Sequence, residues 1–302
     1  MFDTVPTLRL RDREFRLDRP LIMGVLNVTP DSFADGGRWL DPDAALARAR
    51  ALHEAGADII DVGGESTRPG AAPVGADAEL ARVVPVIEAL ARDIDVAIAI
   101  DTCKPVVMRE AVGAGASMIN DVLALRADGA LEAAAELGVP VCLMHMQGEP
   151  RTMQADPRYD DVVADVHRFL ADRLLACEFA GIPRQRLLVD PGFGFGKTLE
   201  HNLELLRRLE RFTDLGVPVL AGLSRKSMIG ALTGRAIEDR VAGSVAAALI
   251  AVQRGAAIVR VHDVAPTRDA LAVWAAVADR PAAAAPSTAR AASRRDWLLS
   301  DE

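Results

Sequence analysis

The chain has 302 residues, 50% hydrophobic and 26% charged, a balance that suits one large α/β barrel or two ordinary domains with a sizeable core. A net charge of −8 excludes a surface that draws nucleic acid as a whole, and no apolar run reaches the ~18 residues of a bilayer span. Cys103, Cys142 and Cys177 cannot all pair and none stands in a CxxC spacing, which points to a reduced, cytoplasmic compartment without structural zinc.

Charges occupy the N-terminal stretch MFDTVPTLRLRDREF where a signal peptide would be apolar. Alternation in LRLRDREFRLD predicts a small hairpin within residues 1–19 that caps the bottom of the following domain. Leu21 to Leu26 reads as a strand buried on both faces; it ends at Asn27 and opens into a polar loop with Asp31, Asp35, Gly36 and Gly37. Asp41-Pro42 then reads as a helix N-cap with proline in the first turn, followed by Ala45, Ala49 and Leu52 on one face.

A phrase recurs along the rest of the chain: a helical segment, a glycine, a small residue or Val-Pro, and an apolar run. Gly56, Gly115, Gly138, Gly181, Gly216 and Gly255 are then helix C-caps. The runs after them predict strands at 57–62, 117–120, 140–144, 187–190, 217–221 and 256–261, and DVAIAID adds one at 95–101. Between them, Val83, Ile87 and Leu90 form one helical stripe, Val162, Val166, Phe169 and Leu174 another, and Val241, Val245, Leu249 and Val252 a third. Eight strands alternating with helices predict a parallel (β/α)8 TIM barrel over residues 20–280, with an open doubly wound sheet as the alternative. Residues 281–302, rich in Ala, Pro and Arg without an apolar face, read as a flexible tail.

The catalytic face of such a barrel is formed by its strand C-termini, and here they carry polar groups. In chain order these are Asn27; Thr67 and Arg68; Asp101; Asn120 and Asp121; Met144 and His145; Asp190; Lys226 and Ser227; and Arg260 and His262. Lys104, Lys197 and Lys226 are the only lysines, and each follows a predicted strand. Single motifs are weak: GFGFGKT is no P-loop, because Pro191 stands where the first glycine belongs, and His145 and His262 lack zinc-ligand spacing. The combination says more. Asp101, Asn120 and Asp190 converging on one mouth suit a ligand with paired N–H donors, such as an aminopyrimidinone, while Arg68, Lys226, Arg260 and His262 suit a phosphate-bearing group.

GVLNVTPDSFADGG, DVGGESTRPGA, IDT-KP, IND, CLMHMQG, LLVDPGFGFGKT, LSRKSMIG and RVHDV together resemble the dihydropteroate synthase family of bacterial folate synthesis, over residues 21 to 279. One departure is Cys103, where the family commonly has serine. The resemblance implies a transferase joining 6-hydroxymethyl-7,8-dihydropterin pyrophosphate to p-aminobenzoate. It implies pterin contacts at Asp101, Asn120, Asp190 and Lys226, pyrophosphate contacts at Thr67, Arg260 and His262, and further substrate contacts at Met144, Phe195 and Val261. It further implies Asn27 as a ligand to Mg²⁺, and Phe33, Pro69 and Ser227 as the aminobenzoate pocket. Asp35, Arg68 and Lys226 become the catalytic set, with Asp35 and Arg68 on loops that close once pyrophosphate is bound. A homodimer through the late helices is implied as well. Two other functions share such a barrel: a methyltetrahydrofolate-dependent methyltransferase, which needs a corrinoid partner, and a pterin-holding module without catalysis. The intact NVTPDSFADGG and SRKS loops favour the synthase.

Overall fold

The structure, a computed structural model, describes residues 5–29, 42–66, 71–148 and 152–281. β1 (Thr7–Leu10) and β2 (Arg13–Arg16) form an antiparallel hairpin, with Arg11 at a positive φ of 58° in its turn. The alternation read from sequence becomes a burial pattern: Leu8 and Leu10 are enclosed while Thr7 and Arg9 face out. The two leucines pack with Leu21, Met23, Ile59 and Ala97, so the hairpin plugs one end of the barrel.

Eight parallel strands follow: β3 (Leu21–Asn27), β4 (Ile59–Gly63), β5 (Ala97–Asp101), β6 (Met118–Asp121), β7 (Val141–Met144), β8 (Leu187–Asp190), β9 (Val219–Ala221) and β10 (Ala256–Val261). They pair in sequence order, and β10 closes the barrel onto β3. This decides for the closed barrel over the open sheet. Most strands begin a residue or two later than sequence suggests, because the first residues after each glycine serve the turn. Asp58 is one: it takes both guanidinium arms of Arg19 and the backbone N–H of Ile22. Pro140 and Pro218 act similarly, entering the sheet only through their carbonyls. All six glycines expected as helix ends have positive φ.

The helices α1 (Pro42–Glu54), α2 (Ala76–Asp93), α3 (Pro105–Ala114), α4 (Ala130–Leu137), α5 (Val162–Phe179), α6 (Leu199–Arg207), α7 (Ser227–Thr233), α8 (Val241–Gln253) and α9 (Val264–Val277) lie outside the strands. α1 starts at Pro42, while the expected cap Asp41 lies outside the described residues. Ala45, Ala49 and Leu52 of α1, Val83, Ile87 and Leu90 of α2, and Val162, Val166 and Leu174 of α5 are buried as their spacing predicts. The stripe proposed for α8 needs correction. Its buried face is Ser244, Ala247, Ala248, Ala251 and Val252, whereas Val241, Val245 and Leu249 sit on the flank and Ile250 is 40% exposed. Small side chains let α8 approach β10 closely, and the larger ones are displaced outward. The expected tail falls almost wholly outside the described residues.

Candidate active site

Inside the barrel the lower layer is apolar: Met23, Ile59, Ala99, Met118, Cys142, Leu188, Leu220 and Ile258 fill it with the hairpin leucines. Side chains alternate along a strand, so the next inward position lies two residues on. Those positions are Val25, Asp61, Asp101, Asn120, Met144, Asp190, Gly222 and Arg260. One step along the strands thus turns an apolar plug into a ring of carboxylates and a cation at the mouth.

Arg260 is the centre of that ring. Its Nε donates to Asp61 Oδ2 at 2.6 Å and its Nη2 to Asp101 Oδ2 at 2.8 Å. Asn120 Nδ2 donates to the same Asp61 oxygen at 3.1 Å. Burial works against the guanidinium charge, but Asp61 and Asp101 prevail and raise its pKa above the ordinary arginine value. Burial also pushes Asp101 up to about 7, opposed by Arg260 and reinforced by Asp61. Asp190 is raised by burial and held down in part by Lys226. Its Oδ1 accepts the Gly192 N–H at 2.7 Å, and its Oδ2 lies 3.9 Å from where a side chain at Gly222 would begin. Asp101 Oδ1, Asn120 Oδ1 and Asp190 Oδ2 accept no hydrogen bond from the described residues. Together they are three acceptors on one mouth.

Lys226 reaches this ring from the turn after β9. Arg225, before it, has a φ of +59°, a strained value for a non-glycine residue. Two bonds from its guanidinium to Asp263, at 2.9 and 2.6 Å, and its N–H on Ser244 Oγ hold that conformation. The Lys226 Nζ donates to the Phe193 carbonyl and stands 4.4 Å from the Phe195 ring centroid. Burial lowers its pKa to about 8, with Asp190 opposing. Met144, Met146, Met153 and Val122, with the half-buried Phe195, form an apolar cluster beside these charges. A flat heterocycle with N–H donors on one edge matches a surface of this kind.

His262, just past β10, has its Nδ1 3.0 Å from Ser224 Oγ, and Ser224 also accepts its backbone N–H. Asn27 ends β3, its Oδ1 3.8 Å from the side-chain position of Gly63, which also borders Asp101. Among the described residues no group of three or more His, Cys, Asp or Glu is placed to hold a metal. A single amide oxygen at the rim fits a Mg²⁺ whose other ligands are phosphate oxygens and water, the usual arrangement for that ion.

The pterin binding enzyme family matches residues 23–262, a span that holds the barrel strands except the first two residues of β3, and the whole ring of polar groups. The dihydropteroate synthase of Haemophilus influenzae is 55% identical over 263 residues, covering 87% of this chain and 96% of its own. That of Escherichia coli is 55% identical over 257 residues, covering 85% and 91%. The chain belongs to the dihydropteroate synthase family of pterin binding enzymes. Solved members of the family share the fold as well as the sequence. Xanthomonas albilineans dihydropteroate synthase with 4-aminobenzoic acid superposes with a TM-score of 0.87 at 59% identity, covering 92% of this chain and 100% of that one. The same organism's enzyme in complex with 7,8-dihydropteroate gives 0.84 at 56% identity, covering 91% and 100%.

Within this dihydropteroate synthase barrel, Asp101, Asn120, Met144, Asp190, Phe195, Lys226 and Arg260 come together as the sequence predicts. Ser227 begins α7 and is exposed. Val261 lies on the other face of β10: the strand alternation that turns Arg260 inward turns Val261 outward, where it joins the core between strands and helices. Phe33, Asp35, Thr67, Arg68 and Pro69 lie outside the described residues, and so do their assigned roles. Cys103 is half-buried, and burial pushes its thiol up to about 11, so the departure from serine adds no reactive thiolate.

Asp61 was missed. It is fully enclosed, and its role was legible in IIDVGG: Ile59 and Gly63 share its face of β4, which leaves a charge pointing into the barrel. Glu79 was missed for another reason. It lies in a helix with no special spacing, and only the fold brings it and Glu65 to Lys104. Glu65 also accepts the Val74 N–H at 3.0 Å, tying the segment after β4 to the end of β5.

Proposed function

We propose that this protein condenses 6-hydroxymethyl-7,8-dihydropterin pyrophosphate with p-aminobenzoate to give 7,8-dihydropteroate and pyrophosphate, as its family does. The observation that carries this reading is the ring of Asp101, Asn120, Asp190, Lys226 and Arg260, with three free acceptors facing the mouth. Asp190 and Asn120 receive the N–H groups of the pterin edge, Lys226 donates to a ring acceptor, and Met144 and Phe195 cover the faces. Arg260, whose Nη1 is not used in the pairs with Asp61 and Asp101, and His262 stand on the side where pyrophosphate departs.

The reaction is a substitution at the pterin methylene. The C–O bond breaks with its electron pair going to pyrophosphate, and the carbon carries a positive charge delocalised into the pterin. The amine of p-aminobenzoate, neutral at pH 7, forms the C–N bond and releases a proton to solvent. No strong general base is needed. The residues contribute by positioning the ring and by neutralising the leaving group in a site with little water. Asn27 is the residue that would hold Mg²⁺, which when bound adds positive charge to the phosphate oxygens. Phe33, Pro69 and Ser227 are proposed to form the p-aminobenzoate pocket, Thr67 to contact pyrophosphate, and Asp35 and Arg68 to complete the catalytic set with Lys226.

No helix among the described residues is long and apolar enough to cross a membrane, and three free cysteines fit a cytoplasmic location. A homodimer is supported by Leu232, Ile237 and Ile250, exposed at 55%, 39% and 40% on the late helical segments. The deciding experiment mixes the protein with pterin pyrophosphate, p-aminobenzoate and Mg²⁺ and follows pyrophosphate and dihydropteroate. Methyl transfer from methyltetrahydrofolate to cobalamin instead, or pterin binding without product, would replace this reading with one of its alternatives.

A further inference from the structure

Of the three lysines, Lys226 faces the site and Lys104 is held by Glu65 and Glu79, which leaves Lys197 without a function. It is 3% exposed and ends the loop 191–197. Among the described residues no carboxylate forms a salt bridge with it. Its Nζ stands 2.9 Å from the Gly192 carbonyl, 2.9 Å from the Phe195 carbonyl and 2.9 Å from His145 Nδ1, with the His145 carbonyl further off at 3.4 Å. Burial lowers the pKa of this amine well below the ordinary lysine value, with Asp190 opposing, and the three partners at equal distance match the three N–H groups of its charged form. His145 suits the part: burial pushes its pKa down to about 2, so the ring is neutral and can offer a lone pair at Nδ1. Phe169 packs edge-on against that ring at 4.9 Å and keeps it in place.

The loop is built around this ammonium. Gly192, Gly194 and Gly196 have φ of 71°, 79° and 61°; the Gly192 carbonyl turns to the lysine, while those of Gly194 and Gly196 accept from Gln154 and the Tyr159 hydroxyl. A Cβ at Gly192 would stand 1.9 Å from the His145 carbonyl oxygen, and one at Gly196 2.5 Å from that of Gln147. The outer surface of the same loop bounds the pterin site. Gly192 N–H holds Asp190 Oδ1, the Phe193 carbonyl receives Lys226, and the Phe195 ring lies against the Lys226 ammonium. Each of these groups belongs to a residue whose carbonyl is on Lys197, or to its immediate neighbour.

We propose that Lys197, with His145 as its third acceptor, is a positioning residue that sets Asp190, Phe195 and Lys226 for pterin recognition through the 191–197 loop. A lysine serves here because its compact ammonium can take three converging acceptors, where a planar guanidinium cannot.

This inference rests on the pterin site described above, and the test separates the two. Titration calorimetry with an unphosphorylated dihydropterin is run first on the wild-type protein; absence of binding there would indict the site itself. Given wild-type binding, Lys197→Met should weaken the pterin at least about tenfold, the scale of losing an outer partner of a binding group. The KM for p-aminobenzoate should stay within about twofold, since that substrate lies on other loops. A Lys197→Met protein with unchanged pterin affinity and only a lower active fraction would overturn the proposal, because a merely structural role predicts that pattern. If Lys197→Met does not fold, His145→Gln decides: about threefold weaker pterin binding is expected from the loss of one acceptor. Unchanged affinity in a folded His145→Gln, or failure of both variants to fold, would also overturn it.

Discussion

Asp101 and Lys226 share one mouth, and their protonation should set its pH range. In the free protein Asp101 loses its proton near 7 and Lys226 near 8. Pterin recognition needs the first as an acceptor and the second as a donor, so kcat/KM for the pterin substrate should be bell-shaped between these values. Asp101→Asn should lose the acid limb, and an unchanged limb in that variant would assign it elsewhere. Stability runs the opposite way. A carboxyl whose folded pKa is raised stabilises the fold fully below its unfolded value of about 4, and that contribution is lost as pH rises through about 7. The melting temperature of the ligand-free protein should therefore decline over that interval, and less steeply in Asp101→Asn. Asp61 carries a separate prediction. It is fully enclosed and paired with both Arg260 and Asn120, so Asp61→Ala strands a buried guanidinium with one carboxylate. Breaking a buried pair by removing one partner costs about 3–5 kcal/mol, and urea unfolding should show a loss of that order. A loss below about 1 kcal/mol would mean that Arg260 finds a new partner.

The N-terminal hairpin and α8 show how local pattern and packing agree or part. In β1 the alternation is strict and the strand has one solvent face, so the period-two pattern that predicts the hairpin also sets Leu8 and Leu10 on the buried side. Leu10 is wholly enclosed at the barrel floor among Leu21, Met23 and Ile59. Leu10→Ala should cost about 2–5 kcal/mol in chemical denaturation while leaving kcat and KM near wild type, because the cavity opens at the end away from the mouth. Altered kinetics would show that the floor layer transmits strain to the ring above it. In α8 the same kind of reading selected the large residues of VAGSVAAALIAVQ, yet the alanines are what face β10. Helical period identifies faces, not which one a close neighbour admits. When a sequence is apolar nearly all round, size complementarity decides, and that is a property of the partner surface.

At the scale of the whole molecule, the exposed Leu232, Ile237 and Ile250 should make the protein dimeric. Leu232→Asp combined with Ile250→Asp should halve the mass in sedimentation equilibrium, since a desolvated charge on each side opposes association. A wild-type monomer at micromolar concentration would remove the dimer from the reading. Much of the architecture is legible in the sequence. Glycine after each helix and an apolar run after each glycine are local requirements, because a positive φ and a strand buried on both faces constrain residue type wherever they occur. Asn27, Asp101, Asn120, Asp190 and Arg260 were legible for a similar reason, since each stands at or next to the end of a buried strand, where the mouth opens, and Lys226 follows β9 in a turn at the same end. What the tertiary structure alone decided is which of these groups meet, and how. That Arg260 bridges Asp61 and Asp101 across the barrel, that Lys104 reaches Glu79 on a helix, and that Val261 turns outward beside Arg260 follow from closure and register. Lys197 is the clearest instance. Nothing in GFGFGKT says that two of its carbonyls and a histidine from the preceding strand end converge on one ammonium, because that contact is between groups brought together only when the eight strands close.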